Sequence, residues 1–466
     1  MGKQINEPVN EPADEPANYG APGFSQRLGR GRLSRRDVLW LAAVTTGSAA
    51  TVSLQGCAKS PVSGKNILVG MSESQERSID KEVAPHQFSQ DLGALQDDAT
   101  NRYVNNVGGA MASLTHRPTM PYNFRVLNAN YVNAYTFPGG AMGLTRGIMA
   151  DIENEAELAA LLGHELGHVN ARHAAQRQGA SMVAQVAVLG VNIAARDSQW
   201  GQLTGIASQI GASAMLSKYS RDNEREADAL GQEYMVRAGY PATGMIDLHQ
   251  LLMSKERKEP NLLETMFSSH PLPAERAQTA EALAKTKYKD SLNGPLNRER
   301  YMDQTSHIRR IKPTIKACQK GEVLSAKKDY GQAEAAFSQA LRHKRDDYAS
   351  NVLMARVLLA QKRTLDAQRY ADAARSIYPE EAQAHKLAGV TRLARKNYAG
   401  AYEALNQFDQ MLPGDPSITF LKGVTLEGVG DRTRAANHYY KYASQVQSGN
   451  ASNYAVSRLR AWGRIR

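Results

Sequence analysis

The sequence predicts a mainly α-helical protein, in which an α+β domain with a small β-sheet is followed by an α-solenoid of paired helices. One observation behind this prediction is a short motif of histidines and a glutamate around residue 165, on an apolar helical stretch that follows β-prone segments. Another is a set of small residues that recurs every 34 positions after residue 301. With 466 residues, 42% of them hydrophobic, the chain is long enough for two or three domains with real cores.

The first 56 residues have the composition of an export signal rather than of a folded domain. Basic residues, among them the pair Arg35 and Arg36, precede an apolar run at 38–54. This run is too short and too rich in Ser and Thr for a comfortable membrane span. The pair resembles a twin-arginine signal, and the tetrapeptide LQGC that ends at Cys57 resembles a bacterial lipobox. We therefore expect Cys57 to become the lipidated N-terminus of an exported protein. An uncleaved anchor is the alternative.

A small sheet is predicted just before the motif. The segment YNFRVLN at 122–128 alternates apolar and polar residues as a strand does. At 130–149, the β-prone VNAYTF, the turn PGG and the stretch AMGLTRGIM predict a hairpin. This hairpin would place one strand beside a cleft, where an exposed edge can bind an extended peptide as an added strand. An ordinary structural hairpin is the alternative.

The motif HELGH contains His164, Glu165 and His168. Residues four apart lie on one face of a helix, so both imidazoles can reach one metal ion, and Glu165 can reach a water beside it. This is the H-E-x-x-H arrangement of a zinc peptidase, and it predicts one Zn²⁺ per chain. On a continuing helix His173 lies about 140° away from His168 and is expected to be structural. The alternative is that both histidines are hydrogen-bonded core residues that bind no metal. A third ligand would argue against this alternative.

A helical stretch at 217–240 contains the candidates for the third ligand. Glu224 and Asp228 are four apart on one face, so one can bind zinc while the other accepts a hydrogen bond from a ligand histidine. Glu226 is turned roughly 160° from Glu224, and spacing alone does not decide between the two glutamates. A solvated acidic helix is the alternative.

Residues 301–466 repeat with a period of 34. Small residues recur in two columns twelve positions apart, and a third column follows four residues after the second. The columns are Gly321, Ala355, Gly389 and Gly423; Ala333, Ala367, Ala401 and Ala435; and Phe337, Ala371, Leu405 and Tyr439. This pattern is typical of tetratricopeptide repeats, and it predicts four units that begin near 314, 348, 382 and 416. Coincidental spacing in an Ala-rich helical tail is the alternative.

The repeat segment is also the basic part of the chain. It contains 27 Lys and Arg against 15 Asp and Glu, a net charge of +12, whereas the whole chain has +11. Such a surface attracts acidic proteins or anionic lipid, and nucleic acid is not an expected partner because no nucleic-acid-binding motif accompanies it. Cys318 is the only cysteine besides Cys57 and is expected to be a small buried hydrophobe.

Taken together, the motifs resemble the zinc metallopeptidases related to the CaaX prenyl protease and HtpX, and especially the periplasmic BepA type, which has C-terminal tetratricopeptide repeats. The matching stretches are NAYTFPGG, NEAELAALLGHELGH, EREAD and SSHPLPAER, in the same order. The resemblance implies that Glu165 is the general base, that Asp228 supports a ligand histidine, and that His270 can plug the fourth zinc position. It implies three zinc ligands, which are His164, His168 and Glu224.

An oxyanion stabiliser is also required. The candidates are Tyr219, Arg221, His270 and Arg276, and the sequence does not rank them.

The predicted function is that of a zinc-dependent endopeptidase of the bacterial cell envelope. Its predicted domains are the export signal at 1–56, a metallopeptidase domain at 57–300 and a repeat domain at 301–466. The lipobox-like motif predicts a lipid anchor on Cys57, and Ala58 after it favours the outer membrane, although such a signal departs from the BepA arrangement. The BepA resemblance implies a periplasmic protein that cleaves misfolded or stalled outer-membrane proteins and contacts their assembly machinery. The rival hypothesis is a chaperone or assembly scaffold that acts mainly through the repeats.

Overall fold

The sheet predicted ahead of the HELGH motif is present in the computed structural model, which describes residues 57–181, 219–271 and 274–465. The export signal at 1–56 lies outside these ranges. The strands are β1 (Cys57–Lys59), β2 (Asn66–Leu68), β3 (Asn123–Leu127), β4 (Ala134–Thr136) and β5 (Ala141–Thr145). β1 and β2 pair with each other, whereas the other sheet has the order β3-β5-β4, with β5 parallel to β3 and antiparallel to β4. The predicted strand at 122–128 and the hairpin are thus confirmed.

The second strand of the hairpin ends earlier than the sequence predicts. β5 stops at Thr145, whose side chain accepts a hydrogen bond from the backbone N–H of Ile148 and so caps a one-turn helix, α3 (Arg146–Met149). At the turn, the carboxylate of Asp80 accepts hydrogen bonds from the N–H groups of Gly139 and Ala141, both at 2.7 Å. The turn is therefore held by a residue outside the hairpin.

Helices surround this sheet and bury it. They are α1 (Glu73–Gln90), α2 (Asp98–Ala112), α3, α4 (Glu155–Asn170), α5 (Arg221–Arg237), α6 (Thr243–Lys258), α7 (Pro260–Ser269), α8 (Ala274–Thr286) and α9 (Arg298–Gln304). Side chains of β3, β5, α4 and α5 share one hydrophobic core, with Val126, Leu144, Leu162 and Tyr234 fully buried in it. Within the described ranges, no helix is both long and apolar enough to cross a bilayer.

The C-terminal part consists of paired helices, as the 34-residue period predicts. They are α10 (Ser306–Ala326), α11 (Tyr330–His343), α12 (Tyr348–Ala360), α13 (Thr364–Ile377), α14 (Ala382–Ala394), α15 (Tyr398–Met411), α16 (Pro416–Gly428), α17 (Arg432–Gln445) and α18 (Asn450–Ala461). Three of the predicted starts coincide with helix starts, at 348, 382 and 416. α10 begins eight residues before the predicted 314 because Ile308 and Ile311 extend it into the main core. The mainly α-helical fold class is confirmed.

The columns of the repeat have a direct packing role. A Cβ atom on Gly321 would lie closer than 3.0 Å to the ring of Phe337. A Cβ atom on Gly423 would also lie closer than 3.0 Å to the ring of Tyr439. A glycine on the first helix of a pair therefore faces a large side chain on the second. Because no Cβ intervenes, the two helices can approach closely.

Buried polar contacts hold the repeats against the sheet-containing part. The guanidinium of Arg146 forms two hydrogen bonds with the carboxylate of Asp347, at 2.7 and 3.0 Å, and the side chains are 1% and 4% exposed. Burial opposes ionisation of Asp347, but the charge of Arg146 outweighs it and lowers the pKa of Asp347 to about 2. Ser89 donates a hydrogen bond to Glu381 at a second point of contact. The domain boundary at residue 300 stays a prediction.

The two cysteines are unpaired, and their surroundings differ. Cys318 is fully buried, as expected, and burial raises the pKa of its thiol to about 12. Cys57 is exposed at the start of β1.

Candidate metal centre

Helix α4 carries the HELGH motif and is buried along its whole length. It begins after Asn154, whose side chain accepts a hydrogen bond from the N–H of Glu157. Glu155 and Glu157 lie in its first turn, where the helix dipole favours acidic residues. The side chains of His164 and His168 therefore project from a rigid element inside the protein.

Glycines bring α4 and α5 into backbone contact. A Cβ atom on Gly163 would lie 2.7 Å from the carbonyl oxygen of Gly231, and one on Gly167 would lie 2.6 Å from that of Ala227. Each of these α4 glycines directly precedes a motif histidine. The close crossing is what allows Glu224, one helix away, to reach both imidazoles.

Four buried side chains converge where the two helices meet. They are His164, His168, Glu224 and His270, and each offers a donor atom within 4.8 Å of the others. His164 Nε2 lies 3.1 Å from His168 Nε2 and 3.6 Å from Glu224 Oε2, and His168 Nε2 lies 3.4 Å from Glu224 Oε1. Donors around one tetrahedral zinc ion lie roughly 3.4 Å apart, since each is about 2.0–2.1 Å from the metal. The spacing and the two-histidine, one-carboxylate donor set fit zinc.

His270 lies close to the other donors. It follows α7, and its Nδ1 is 3.3 Å from His164 Nε2 and 3.1 Å from Glu224 Oε1. Burial alone would raise the pKa of Glu224, but the neighbouring His270 and hydrogen bonds with His168 and His270 lower it below its usual range. Glu224 is therefore held as the anion that a metal requires.

Asp228 and Arg276 support the cluster from behind. His164 Nδ1 lies 2.8 Å from Asp228 Oδ1, and Arg276 donates to both oxygens of Asp228, at 2.6 and 2.7 Å. Arg276 also donates to Glu224 Oε2, at 2.7 Å. Burial opposes the ionised form of Asp228, but the charge of Arg276 lowers its pKa well below the usual range. The sequence offered Arg276 as an oxyanion stabiliser, whereas here it binds two carboxylates.

Glu165 stands beside the cluster without a hydrogen-bond partner on Oε2 among the described residues. Its side chain is buried, its Oε1 is 3.9 Å from His270 Nε2, and burial raises its pKa. A buried carboxylate oxygen without a partner costs free energy unless a molecule binds there. This orphaned oxygen is suited to accept a hydrogen bond from a water.

The expectation that the motif helix continues unbroken through residues 170–177 is wrong. α4 ends at Asn170, Arg172 adopts φ +59°, and helix resumes at His173. The break turns His173 back, so its Nδ1 lies 2.9 Å from His168 Nδ1. The Nε2 of His173 lies 3.2 Å from Glu226 Oε2. Glu226 therefore contacts His173 and is not one of the four converging donors.

The remaining oxyanion candidates lie in different places. Tyr219 stacks on the ring of His168, with centroids 3.9 Å apart, and burial raises its pKa to about 12. Arg221 is exposed at the start of α5.

The sequence reasoning missed His249 on α6, whose Nε2 lies 3.4 Å from Asp228 Oδ2. A lone histidine on a helix gives no signal for such a contact.

A groove of about 270 Å³ leads to the cluster. It is lined by β4 residues including Tyr135 and Thr136, by Ser269 of α7, and by Tyr219 and His270. β4 is an edge strand of its sheet, since among the described strands it pairs only with β5. An edge strand thus borders the approach to the converging donors.

Both parts of the chain match known protein families. Residues 98–284, which contain all the converging donors, match the profile of peptidase family M48. Residues 324–390 match a tetratricopeptide repeat profile, so the segment similar to family M48 is followed by tetratricopeptide repeats.

Curated relatives extend over part of the chain. The beta-barrel assembly-enhancing protease of Yersinia pestis is 29% identical over 225 residues, which are 46% of this chain and 46% of that protein. The one from Escherichia coli (strain K12) is 25% identical over 52% of this chain and 50% of its own length. Metalloprotease YcaL of the same strain is 34% identical over 34% of this chain and 60% of that protein. Our chain spans about half the length of the assembly-enhancing proteases it matches.

Proposed function

We propose that this protein is a zinc-dependent endopeptidase of the bacterial cell envelope, with His164, His168 and Glu224 as the zinc ligands. The observation that carries the proposal is the convergence of these three donors next to Oε2 of Glu165, which has no hydrogen-bond partner in the described part of the chain. Peptidase family M48 domains are metal-dependent, and zinc is the ion that this donor set favours. The variants that test the proposal are described in the Discussion.

Zinc bound at this site would polarise the scissile carbonyl and lower the pKa of a water. Oε2 of Glu165 accepts the proton of that water as the general base. Glu165 then passes the proton to the leaving amine. Asp228 keeps the Nε2 atom of His164 directed at the ligand cluster by accepting a hydrogen bond from Nδ1.

The substrate would bind in extended form along β4. An edge strand offers backbone groups to an added strand, and the groove beside β4 ends at Tyr219 and His270. Main-chain hydrogen bonds are independent of side-chain identity. This mode suits a protease for unfolded proteins of many sequences, and a substrate peptide with N-methylated backbone amides at the paired positions should be cleaved poorly.

His270 is proposed to restrain the enzyme by standing in the fourth zinc position. His270→Ala should therefore raise basal cleavage of casein, by about tenfold or more if the open state is populated at 10% or less. Rates of casein cleavage and zinc content are measured together, and His86→Ala, a half-buried histidine outside the cluster, is the control. A fall in activity with zinc retained would show instead that His270 acts in the transition state.

The proposed location is the periplasmic face of the outer membrane, with a lipid on Cys57. The support is the LQGC motif, the twin-arginine-like pair and the exposure of Cys57. The mass of the mature N-terminus tests this, because a first residue other than a diacylated Cys57 contradicts the anchor.

The proposed clients are misfolded or stalled outer-membrane proteins, which the repeats would select. The relatives' name, beta-barrel assembly-enhancing protease, supports this client class and a contact with the assembly machinery. The net charge of +12 on residues 301–466 would attract acidic segments. Exposed lysines recur at equivalent turns between repeat helices, and all three have positive φ: Lys328 (+62°), Lys362 (+63°) and Lys396 (+59°).

These three lysines allow a test of whether positive charge on the repeats selects the client protein. Changing all three to Gly removes three charges at positions where glycine is the less strained residue, so the fold should be retained. Affinity for a denatured outer-membrane β-barrel protein should fall roughly threefold or more, at about 0.2–1 kcal/mol per exposed ion pair. Casein cleavage should not change. The triple Lys→Arg variant keeps the charge and should bind like the wild type; equal binding by the Gly variant would contradict selection through these charges.

A further inference from the structure

The ligand histidine His168 is connected to a histidine and a carboxylate behind it. His168 Nδ1 lies 2.9 Å from His173 Nδ1, and His173 Nε2 lies 3.2 Å from Glu226 Oε2. His173 is fully buried, whereas the side chain of Glu226 is 44% exposed. The three side chains form a continuous chain from the donor cluster to the protein surface.

The backbone break after α4 creates this chain. Arg172 has φ +59°, a conformation that few non-glycine residues adopt. Its Nε donates to Glu76 Oε1 at 2.8 Å, and its Nη2 donates to the carbonyl oxygen of Met71 at 2.9 Å. Glu76 is fully buried and also accepts from Arg117, at 2.7 Å. The position of His173 is thus fixed by a buried ion-pair network.

The order of donors and acceptors along the chain determines one tautomer for each histidine. A carboxylate only accepts hydrogen bonds, so Nε2 of His173 carries the hydrogen that points to Glu226. The Nδ1 of a neutral His173 is then an acceptor and takes the hydrogen from His168 Nδ1. This leaves the lone pair of His168 Nε2 free and directed at the cluster. His164 is held in the same tautomer without an intervening residue, because its Nδ1 donates directly to Asp228.

We propose that Glu226 and His173 are positioning residues, which hold His168 in the tautomer and orientation that bind zinc. This inference rests on the zinc site proposed above. Glu226 acts only through His173, and it supplies the terminal acceptor of the chain rather than a charge felt directly by the metal.

The test is the affinity of the full-length protein for Zn²⁺, measured by chelator competition after the metal has been stripped and restored. Glu226→Ala and His173→Phe should each weaken zinc binding by about 10- to 100-fold. Glu226→Gln should keep most of the affinity, because its amide oxygen still accepts the hydrogen of His173 Nε2. The double variant His173→Phe/Glu226→Ala should bind no more weakly than His173→Phe, since one residue acts through the other.

Controls separate the possible causes. Glu233→Ala removes a negative charge from the same helix at a residue that pairs with Arg237 and Lys287, and it should bind zinc like the wild type. Glu226 is partly exposed, so its variants are expected to fold even if His173→Phe does not. Thermal unfolding of the metal-free proteins shows which variants are folded. Equal weakening in Glu226→Ala and Glu226→Gln would mean that charge matters and orientation does not, which overturns the proposal. Wild-type affinity in Glu226→Ala would also overturn it, whereas a wild type that binds no zinc would refute the proposed function itself.

Discussion

Glu165→Gln should leave the zinc content unchanged and reduce peptide cleavage by about 10²- to 10⁴-fold, the usual contribution of a general base. Glutamine has nearly the shape of glutamate, so α4 and the nearby imidazoles should keep their places. Its amide cannot take a proton from water. Glu165 Oε2 has no hydrogen-bond partner among the described residues, so the substitution removes no hydrogen bond of that oxygen.

Initial rates on casein and metal analysis of the same samples check this prediction. Glu153→Gln, at an exposed residue just before α4, is the matched control and should keep full activity. If Glu165→Gln cleaves at the wild-type rate while zinc is present, another group is the base.

Loss of any of the three proposed ligands should remove zinc and activity together. Zinc sites with four ligands bind with about 10–16 kcal/mol, so each ligand accounts for roughly 3 kcal/mol, or about 100-fold in affinity. Removing His164, His168 or Glu224 also leaves buried polar groups without their partner, because all three are at most 6% exposed. We therefore expect these variants to be less stable than the wild type as well.

Metal content, casein cleavage and thermal unfolding with and without chelator check this prediction. The wild type should lose stability when chelator is added, whereas the ligand variants should not respond. A ligand variant that retains zinc and activity would remove that residue from the site.

The sequence predicted the parts of the site that depend on local spacing. His164, Glu165 and His168 follow from positions on one helix, and three of the four repeat starts that the 34-residue period predicts coincide with helix starts. Both predictions rest on helical geometry, which converts spacing along the chain directly into position. The choice between Glu224 and Glu226 was not available from the same reasoning, because both lie on one helix and only its contact with α4 distinguishes them.

What could not be predicted depends on contacts distant in sequence. His173 reaches His168 because Arg172 leaves the helical conformation, and Glu76, 96 residues earlier, holds Arg172 there. Arg276 was one of several candidates for one role, and its contact with Asp228 depends on how α8 packs. The glycines before the two motif histidines were visible in the sequence, and a small residue at a ligand-bearing crossing is a signal that could have been used.

One measurement tests the central claim most directly, namely the zinc content of Glu224→Gln and Glu226→Gln, purified in parallel. The two substitutions are chemically identical, lie two residues apart on α5 and remove the same charge. If Glu224 completes the zinc site, Glu224→Gln should be isolated without zinc and without activity, whereas Glu226→Gln should contain one zinc per chain and cleave casein. Zinc and activity retained in Glu224→Gln but lost in Glu226→Gln would contradict the account.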